Sequence, residues 1–268
     1  ARDRGLAVHQ PRSANDESFQ PVLHQLRPDV LLSVFYDKIL KPHVLSLPSI
    51  AAVNVHFGLL PDNRGSQPIP WALIDGNEPG VTMYYLDPGV DTGDIVAQLA
   101  VPPSGCETAR DVYERCTAAG RYLIERYLPL VLQGRAPRRR QAAGGSYYRP
   151  GDPFDRWIDW SQSAEVVSRF VRALTFPPFP GARASFAGRE LEVCHPVWPS
   201  EGARGRPGSV VSMGEGAVEV ATGRGLLTIR TARLDGEELP AGEALRRLDC
   251  REGSMLEGMP WMRRLAAA

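Results

Sequence analysis

The fold of this chain is decided by residues 51–95, which read AAVNVHFGLLPDNRGSQPIPWALIDGNEPGVTMYYLDPGVDTGDI. Residues 51–56 and 81–86 are short apolar segments bounded by Pro and Gly, and each predicts a strand. Residues 67–74 between them predict a helix, and residues 94–101 predict a further strand. Strands that alternate with helices favour an α/β layer with a largely parallel sheet.

The same pattern continues on both sides of this stretch. Residues 30–35 (VLLSVF) form a short apolar run that is typical of a buried strand, and residues 18–26 before it have helical spacing. The strongest helical signal covers residues 108–132, where apolar residues recur every three or four positions. We therefore expect the α/β layer to extend over residues 1–133.

The second half of the chain has a different character. Residues 134–151 are rich in Pro, Gly, Arg and Ser and are interpreted as a linker. A helix is predicted through residues 166–174, capped by the segment 157–161, and short apolar runs separated by Gly-rich turns follow it. This spacing predicts a small β-barrel within a second domain, residues 152–268.

Composition narrows the functional classes. The 268 residues include 31 basic and 31 acidic side chains, so no broad electrostatic argument favours nucleic acid. The basic run at residues 138–140 is interpreted as part of a solvated linker, and contact with phosphate or RNA is the alternative. No apolar run approaches membrane-spanning length, and the four scattered cysteines predict neither a metal site nor disulfides. A cytoplasmic protein without a membrane partner is expected.

Asn54, His56 and Asp91 are the candidate catalytic residues. In an extended strand Asn54 and His56 point to one face, and the carboxyl edge of an α/β sheet is where ligands bind. An amide and an imidazole there can stabilise and protonate an oxyanion, and Asp91 could orient the ring. The structural alternatives are hydrogen bonds that close a strand end and an ordinary turn residue at Asp91.

Several anchors surround these residues in a fixed order: Asn54-Val55-His56, Leu59-Leu60-Pro61, Arg64-Gly65, Gly80-Val81-Thr82 and Asp91-Thr92-Gly93. In this order they resemble the formyltransferase superfamily, which includes methionyl-tRNA, glycinamide ribonucleotide and sugar N-formyltransferases. Residues 158–160, 172–174 and 180–182 are similar to the start of the family's C-terminal domain. The resemblance implies a Rossmann-like, mostly parallel α/β catalytic domain, followed by a small open, OB-like β-barrel.

The sequence departs from the family pattern in two places. The family opens with a strand, a helix and a second strand, whereas this sequence begins around the third element. We therefore expect either that an N-terminal unit is missing from the sequence or that the chain is a shortened relative. Position 58 is Gly, where many relatives carry Ser, so the resemblance carries no substrate contact to that position.

The resemblance implies transfer of a formyl group from 10-formyltetrahydrofolate to an amine, without a metal. Asn54 and protonated His56 would donate hydrogen bonds to the oxygen of the tetrahedral intermediate, and Asp91 would hold His56 and help to move the proton. The pterin would lie against the loop before Asp91 and the segment after Val34. The residues nominated for donor binding, each also open to a packing or turn role, are Phe35, Tyr36, Leu40, Leu86, Asp87 and Val90.

The acceptor amine is less well specified. The balanced charge, and the absence of a basic insertion that tRNA-specific relatives carry in the missing unit, favour a small amine. Candidates are a nucleotide-linked amino sugar, a hydroxyornithine or a natural-product amine. Transfer to methionyl-tRNA is the first alternative. Hydrolysis of formyltetrahydrofolate, or folate binding without turnover, is a further one.

Overall fold

The computed structural model describes residues 4–202 and 205–261, and its N-terminal part is an α/β layer. Its elements are, in chain order, α1 (Gln20–Leu26), β1 (Val30–Val34), α2 (Pro42–Leu45), β2 (Ala51–His56), β3 (Arg64–Gly65), α3 (Pro68–Asp75), β4 (Gly80–Tyr85), β5 (Ile95–Ala100), α4 (Ala109–Leu132) and β6 (Tyr147–Tyr148). A 3-10 turn, Glu17–Phe19, leads into α1. The strands and helices predicted for residues 18–132 are confirmed, and their ends differ from the prediction by one or two residues.

Four of these strands form one sheet in the order β1, β2, β4, β5. β1 and β2 are parallel, whereas β4 is antiparallel to both of its neighbours, β2 and β5. The predicted α/β fold with parallel pairing is confirmed, although the parallel share of the described sheet is smaller than expected. β4 and β5 are joined by the loop 86–94 without a crossover helix, and strands joined in this way run antiparallel.

The two faces of β2 carry different residues. Val53 and Val55 are buried on one face. Helix α4 approaches that face at Gly120, where an added Cβ would lie 3.3 Å from Val55 Cγ1 and from Phe57 Cε1. The absence of a side chain at Gly120 therefore permits close packing of the helix on the sheet. Because side chains alternate along a strand, the polar residues of β2 lie on the opposite face.

Helix α4 is the longest described helix, with 24 residues. Its buried side chains recur at helical spacing: Val112, Cys116, Ala119 and Leu123. The outer surface carries charged residues, including the Arg121–Glu125 pair one turn apart. The predicted amphipathic character of residues 108–132 is thus present. Within the described part of the chain, no helix combines the length and apolarity that a bilayer crossing requires.

The C-terminal part contains a separate antiparallel sheet. Its elements are α5 (Ala164–Ala173), β7 (Ala182–Phe186), β8 (Arg189–Ser200), β9 (Val210–Met213), β10 (Val218–Ala221), β11 (Leu226–Leu234), β12 (Glu237–Pro240) and α6 (Ala241–Arg246). The sheet has the order β7, β8, β11, β10, β9, and β12 pairs with β11. The predicted β-rich second half is confirmed. β12 was not predicted, because two acidic residues and a Pro in four positions weaken the strand signal.

Helix α5 forms as its sequence pattern predicts, but it begins later. Ser163, rather than the segment 157–161, is the N-cap, and its hydroxyl accepts from the Val166 amide. Val167, Phe170 and Val171 are fully buried and follow the i, i+3, i+4 spacing of one helix face.

Candidate active site

The polar face of the β2–β4 pair is where the site residues meet. Asn54 of β2 lies opposite Tyr84 of β4, and His56 lies opposite Thr82. Residues directly opposite each other on an antiparallel pair share a face of the sheet. The register therefore collects four polar side chains on the side of the sheet away from Val53 and Val55.

A hydrogen-bonded chain runs from Asn54 through Tyr84 to Asp91. The Asn54 side-chain amide donates to the Tyr84 hydroxyl at 3.0 Å, and the hydroxyl donates to Asp91 Oδ1 at 2.7 Å. Burial raises the pKa of Tyr84, and the negative charge of Asp91 raises it further. The hydroxyl therefore keeps its proton and remains a donor to Asp91. Asn54 retains a second amide hydrogen for another acceptor.

Both ring nitrogens of His56 face a protein oxygen, and its side chain is only 8% exposed. Its Nε2 lies 2.7 Å from the main-chain oxygen of Asn63, and its Nδ1 lies 3.7 Å from Asp91 Oδ2. Because a carbonyl oxygen can only accept, Nε2 carries the hydrogen of this bond. Nδ1 faces a carboxylate, which is a suitable partner for the protonated ring. The structure thus brings Asn54, His56 and Asp91 together.

The loop that follows β2 is held by polar side chains of the neighbouring strands. Thr82 Oγ1 donates to the main-chain oxygen of Gly58 at 2.6 Å and accepts from the Leu60 amide at 3.1 Å. Gln98, opposite Thr82 on β5, donates to the Leu60 oxygen at 2.7 Å and to Thr82 Oγ1 at 3.0 Å. These bonds satisfy the main chain of a buried loop and fix the segment after His56.

Gly58 leaves the space that the His56 ring occupies. A Cβ at position 58 would lie 2.9 Å from His56 Nε2 and 3.2 Å from Asn63 Cβ, so a side chain there would move the ring. Asn63 itself is 1% exposed, and its side-chain amide has no hydrogen-bond partner among the described residues. Gly58, noted above as a departure from the family pattern, is therefore coupled to the position of His56.

The loop that carries Asp91 is tightly constrained. Asp91 has a left-handed backbone with φ of 55°, which is uncommon for a residue with a side chain. The Asp87 carboxylate accepts from the Thr92 hydroxyl at 2.7 Å and closes the loop on itself. At Gly93 a Cβ would collide with the Tyr85 carbonyl oxygen, so the chain can pass there only with Gly. These restraints deliver the Asp91 side chain to the polar face.

Residues 138–146, which we name the strap, contact this loop. The side-chain amide nitrogen of Gln141 donates to the main-chain oxygens of Asp91 and Gly93, each at 2.8 Å. The Gln141 side-chain oxygen accepts from Arg64 Nη2 at 2.8 Å. Gln141 therefore connects the loop of Asp91 to the Arg64-Gly65 motif. The strap lies within the segment predicted as a linker.

The basic run of the strap is engaged with the protein. Arg138 pairs with Asp94 at 2.9 Å, and its guanidinium lies 4.3 Å from the centre of the Tyr85 ring. Arg139 donates to the Gln98 side-chain oxygen at 2.8 Å. Exposed pairs of this kind contribute little stability individually. Two of the three arginines therefore have intramolecular partners in addition to the solvent contact that was predicted.

The predicted donor-binding residues after β1 lie at the carboxyl end of the parallel β1–β2 pair. The Phe35 ring is exposed and contacts Phe57 edge-on, with 4.4 Å between ring centres. The Tyr36 hydroxyl accepts from the Ala14 amide at 2.8 Å, so this tyrosine is tied to the N-terminal segment. Leu40 is partly buried shortly before α2. Of these three, Phe35 is the most exposed.

The other predicted donor-binding residues, Leu86, Asp87 and Val90, follow β4. Because β4 is antiparallel to β2, the first of them, Leu86, lies beside the start of β2. The Leu86 amide donates to the Ala52 oxygen, and the Leu86 side chain packs on the cluster of Leu60, Tyr84 and Ile95. Asp87 closes its own loop, as described above. Val90 adjoins Asp91 and is partly buried. Leu86 and Asp87 thus have packing and turn roles, whereas Val90 directly precedes Asp91 in the loop.

Sequence reasoning did not identify Tyr84, Thr82, Gln98 or Gln141 as site residues. Thr82 and Tyr84 alternate along β4, so a polar pair on one face was a signal available in the sequence. Nothing in the sequence aligned that pair with Asn54 and His56. The Gln141 side chain lies in a Pro- and Gly-rich segment that carries no periodic pattern at all.

Family models match both halves of the chain. The model described as formyl transferase matches residues 3–128, and the one described as formyl transferase, C-terminal domain, matches residues 152–248. The methionyl-tRNA formyltransferase of Pelotomaculum thermopropionicum is 38% identical over 254 residues, which cover 94% of this chain and 80% of that relative.

Solved structures give a consistent picture of the fold. A protein of Mycobacterium tuberculosis assigned as a sugar N-formyltransferase is 25% identical with a TM-score of 0.62, covering 71% of this chain and 82% of that one. An N-formyltransferase of Helicobacter canadensis, in complex with folinic acid and dTDP-3-aminofucose, is 20% identical with a TM-score of 0.61. Its match covers 74% of this chain and 72% of that one.

Proposed function

Because the chain belongs to the formyl transferase family, we propose that it transfers the formyl group of 10-formyltetrahydrofolate to the amine of methionyl-tRNA. The observation that carries the choice of acceptor is the 38% identity to a methionyl-tRNA formyltransferase, over most of both chains. A small amine, which the balanced charge favours, is kept as the second candidate.

The residues near the candidate triad suit a donor with a flat heterocycle. Phe35 offers an exposed aromatic ring at the sheet edge where β2 ends. Val90 is a partly buried apolar residue that directly precedes Asp91. We assign donor contacts to these two residues and leave Leu86 and Asp87 in their packing and loop-closing roles. When bound, the donor supplies an activated formyl group on nitrogen.

Asn54 is the proposed oxyanion donor. The acceptor nitrogen attacks the formyl carbon, a carbon–nitrogen bond forms, and negative charge develops on the formyl oxygen. One Asn54 amide hydrogen is used by Tyr84, and the second is available to this oxygen. A preorganised donor of this kind contributes about 3 kcal/mol to the transition state.

His56 is proposed to stabilise the oxyanion electrostatically, and Asp91 is proposed to transfer the proton. In the imidazolium form, both ring N–H groups are directed at protein oxygens, those of Asn63 and Asp91. His56 therefore acts on the oxyanion through its charge rather than through a direct hydrogen bond. Asp91 accepts the proton released by the attacking nitrogen and returns it to the departing folate nitrogen. The carbon–nitrogen bond to the donor breaks in that step.

The acceptor is tested by incubating the purified chain with 10-formyltetrahydrofolate and methionyl-tRNA. Mass spectrometry after deacylation should detect N-formylmethionine, and the rate should fall as salt rises, since phosphate contacts release counterions. His56→Ala serves as the inactive control. Formation of N-formyl product from other amines, with none from methionyl-tRNA, would reject the proposed acceptor.

A nucleotide-linked amino sugar is the second candidate. It is favoured by the equal numbers of basic and acidic residues, 31 of each, and by the 25% identity to a protein assigned as a sugar N-formyltransferase. The two acceptors are distinguished by kcat/KM measured side by side with the same donor. An amino sugar that exceeds methionyl-tRNA at physiological salt would make the small amine the substrate.

A further inference from the structure

Tyr84 occupies the junction between two of the candidate catalytic side chains. Its hydroxyl accepts from Asn54 and donates to Asp91, so one oxygen connects the oxyanion donor to the proton acceptor. We propose that Tyr84 is a positioning residue for formyl transfer, whose hydroxyl orients the Asn54 amide and the Asp91 carboxylate toward the reacting atoms. The proposal rests on the proposed function, which assigns those roles to Asn54 and Asp91.

The hydroxyl selects the orientation of the Asn54 amide. A carboxylate at Asp91 can only accept, so the Tyr84 hydrogen points at Asp91 and its lone pairs face Asn54. The nitrogen of the Asn54 amide, and not its oxygen, must then face Tyr84. This leaves the second N–H in a defined direction. Without the hydroxyl, the amide can rotate and present an oxygen where a donor is needed.

The same hydroxyl gives the two oxygens of the Asp91 carboxylate different partners. Oδ1 accepts from Tyr84, and this places Oδ2 at 3.7 Å from His56 Nδ1. Asp91 stands in a left-handed conformation in a loop, where a side chain is not fixed by a regular element. A donor from a neighbouring strand supplies that restraint.

Tyr84 is well suited to this role because its ring is buried and packed. It is 2% exposed and packs with Leu60 and Ile95 in the core. The strand register places it directly opposite Asn54. Its raised pKa keeps the hydroxyl protonated at any pH at which the enzyme would operate. The group is therefore a fixed donor and acceptor on a rigid element.

The test is Tyr84→Phe, which keeps the ring and removes the hydroxyl. We expect kcat to fall by about 10- to 100-fold, because small misplacements of reacting groups cost rates of this order. KM for both substrates should change by less than about threefold, since no substrate contact is lost. Tyr122→Phe, on the exposed side of α4, is the matched control and should retain the wild-type rate.

A double-mutant cycle separates positioning from a structural role. In an Asn54→Ala background the Tyr84→Phe change should have a clearly smaller effect, because one of the two groups that it orients is gone. An equal loss in both backgrounds would indicate general damage to the fold and overturn the proposal. Should Tyr84→Phe fail to fold, Tyr84→Met, whose flexible side chain fills gaps, removes the hydroxyl in another way and should give the same loss.

The outcomes for the two proposals are distinct. A wild-type chain that forms no N-formyl product with methionyl-tRNA or amino sugars would overturn the proposed function and this positioning role with it. Large losses in Asn54→Ala and Asp91→Ala, with wild-type kcat in Tyr84→Phe, would overturn the role of Tyr84 alone.

Discussion

At the scale of single residues, the candidate catalytic side chains already hold defined protein partners before any substrate binds. Asn54 uses one amide hydrogen on Tyr84, and His56 uses Nε2 on the Asn63 carbonyl. An unsatisfied buried group costs about 1–3 kcal/mol, so these bonds hold the groups in place. The second Asn54 hydrogen is the one left to a substrate oxygen. Changes at one residue therefore alter the orientation of its partners.

Asn54→Ala should remove the proposed oxyanion donor. We expect kcat to fall by about 100-fold or more, with KM changed much less, because the hydrogen bond strengthens as charge develops. Initial rates of formyl transfer measure both parameters. Asn77→Ala, at an exposed position, is the matched control and should behave as wild type. A wild-type kcat in Asn54→Ala would exclude the assigned role.

Gly58→Ala should displace the His56 ring. The new Cβ would lie 2.9 Å from Nε2, so the ring must move and the bond to Asn63 weakens. We expect a fall of at least about tenfold in kcat, since a misplaced group loses its reactive geometry. Gly216→Ala has no atom within 4 Å of its added Cβ and provides the control. Equal rates for the two variants would show that the ring adapts without consequence.

At the scale of elements, the site is assembled by the three strands β2, β4 and β5, two loops and the strap. β2 and β4 supply the polar face, the loop after β2 is held by Thr82 and Gln98, and the loop after β4 brings in Asp91. Gln141 of the strap binds main-chain oxygens of that second loop. Loops positioned by a rigid scaffold are the usual carriers of functional groups.

Gln141→Ala should loosen the loop that carries Asp91. Each lost hydrogen bond contributes about 1 kcal/mol, and the Asp91 and Gly93 carbonyls would have to find water. We expect faster amide hydrogen exchange over residues 86–94 and a lower kcat. Gln133→Ala, on an exposed side chain after α4, should change neither quantity. If exchange in the loop stays as slow as in the wild type, the strap has no such role.

At the scale of the whole molecule, the site joins parts of the chain that are far apart in sequence. Asn54 and Tyr84 are 30 positions apart, and Asp91 and Gln141 are 50 positions apart. Closing such loops costs entropy that only a completed sheet repays. The candidate site therefore exists only in the folded α/β layer, and its titration behaviour is part of the stability of that layer.

Tyr84 should make stability depend on pH in the alkaline range. Its folded pKa is raised above the ordinary value of 10.0, so the folded state holds a proton that the unfolded state releases. This contribution is fully present below pH 10 and is lost progressively as the pH rises above it. Chemical denaturation should show that the free energy of unfolding decreases more between pH 8 and pH 11 for wild type than for Tyr84→Phe. Parallel curves for the two proteins would contradict the assignment.

Local sequence patterns were sufficient to predict the elements of the α/β layer and to identify the ordered anchors around Asn54, His56 and Asp91. Period-two alternation identified the face shared by Asn54 and His56, because alternation depends only on local geometry. The β-rich second half followed from its turn residues in the same way. Local propensity and spacing were sufficient for these features, since each is set within a few residues.

The contacts between these elements depend on the tertiary fold and could not be predicted from local patterns. The pairing of Asn54 with Tyr84 depends on strand register, and a shift of one residue would put Tyr84 on the other face. The antiparallel direction of β4 and the return of Asp91 over the polar face depend on which strands become neighbours. Gln141 reaches the Asp91 loop through packing alone. Contacts between distant segments are selected by the free energy of the whole fold, which no short stretch of sequence encodes.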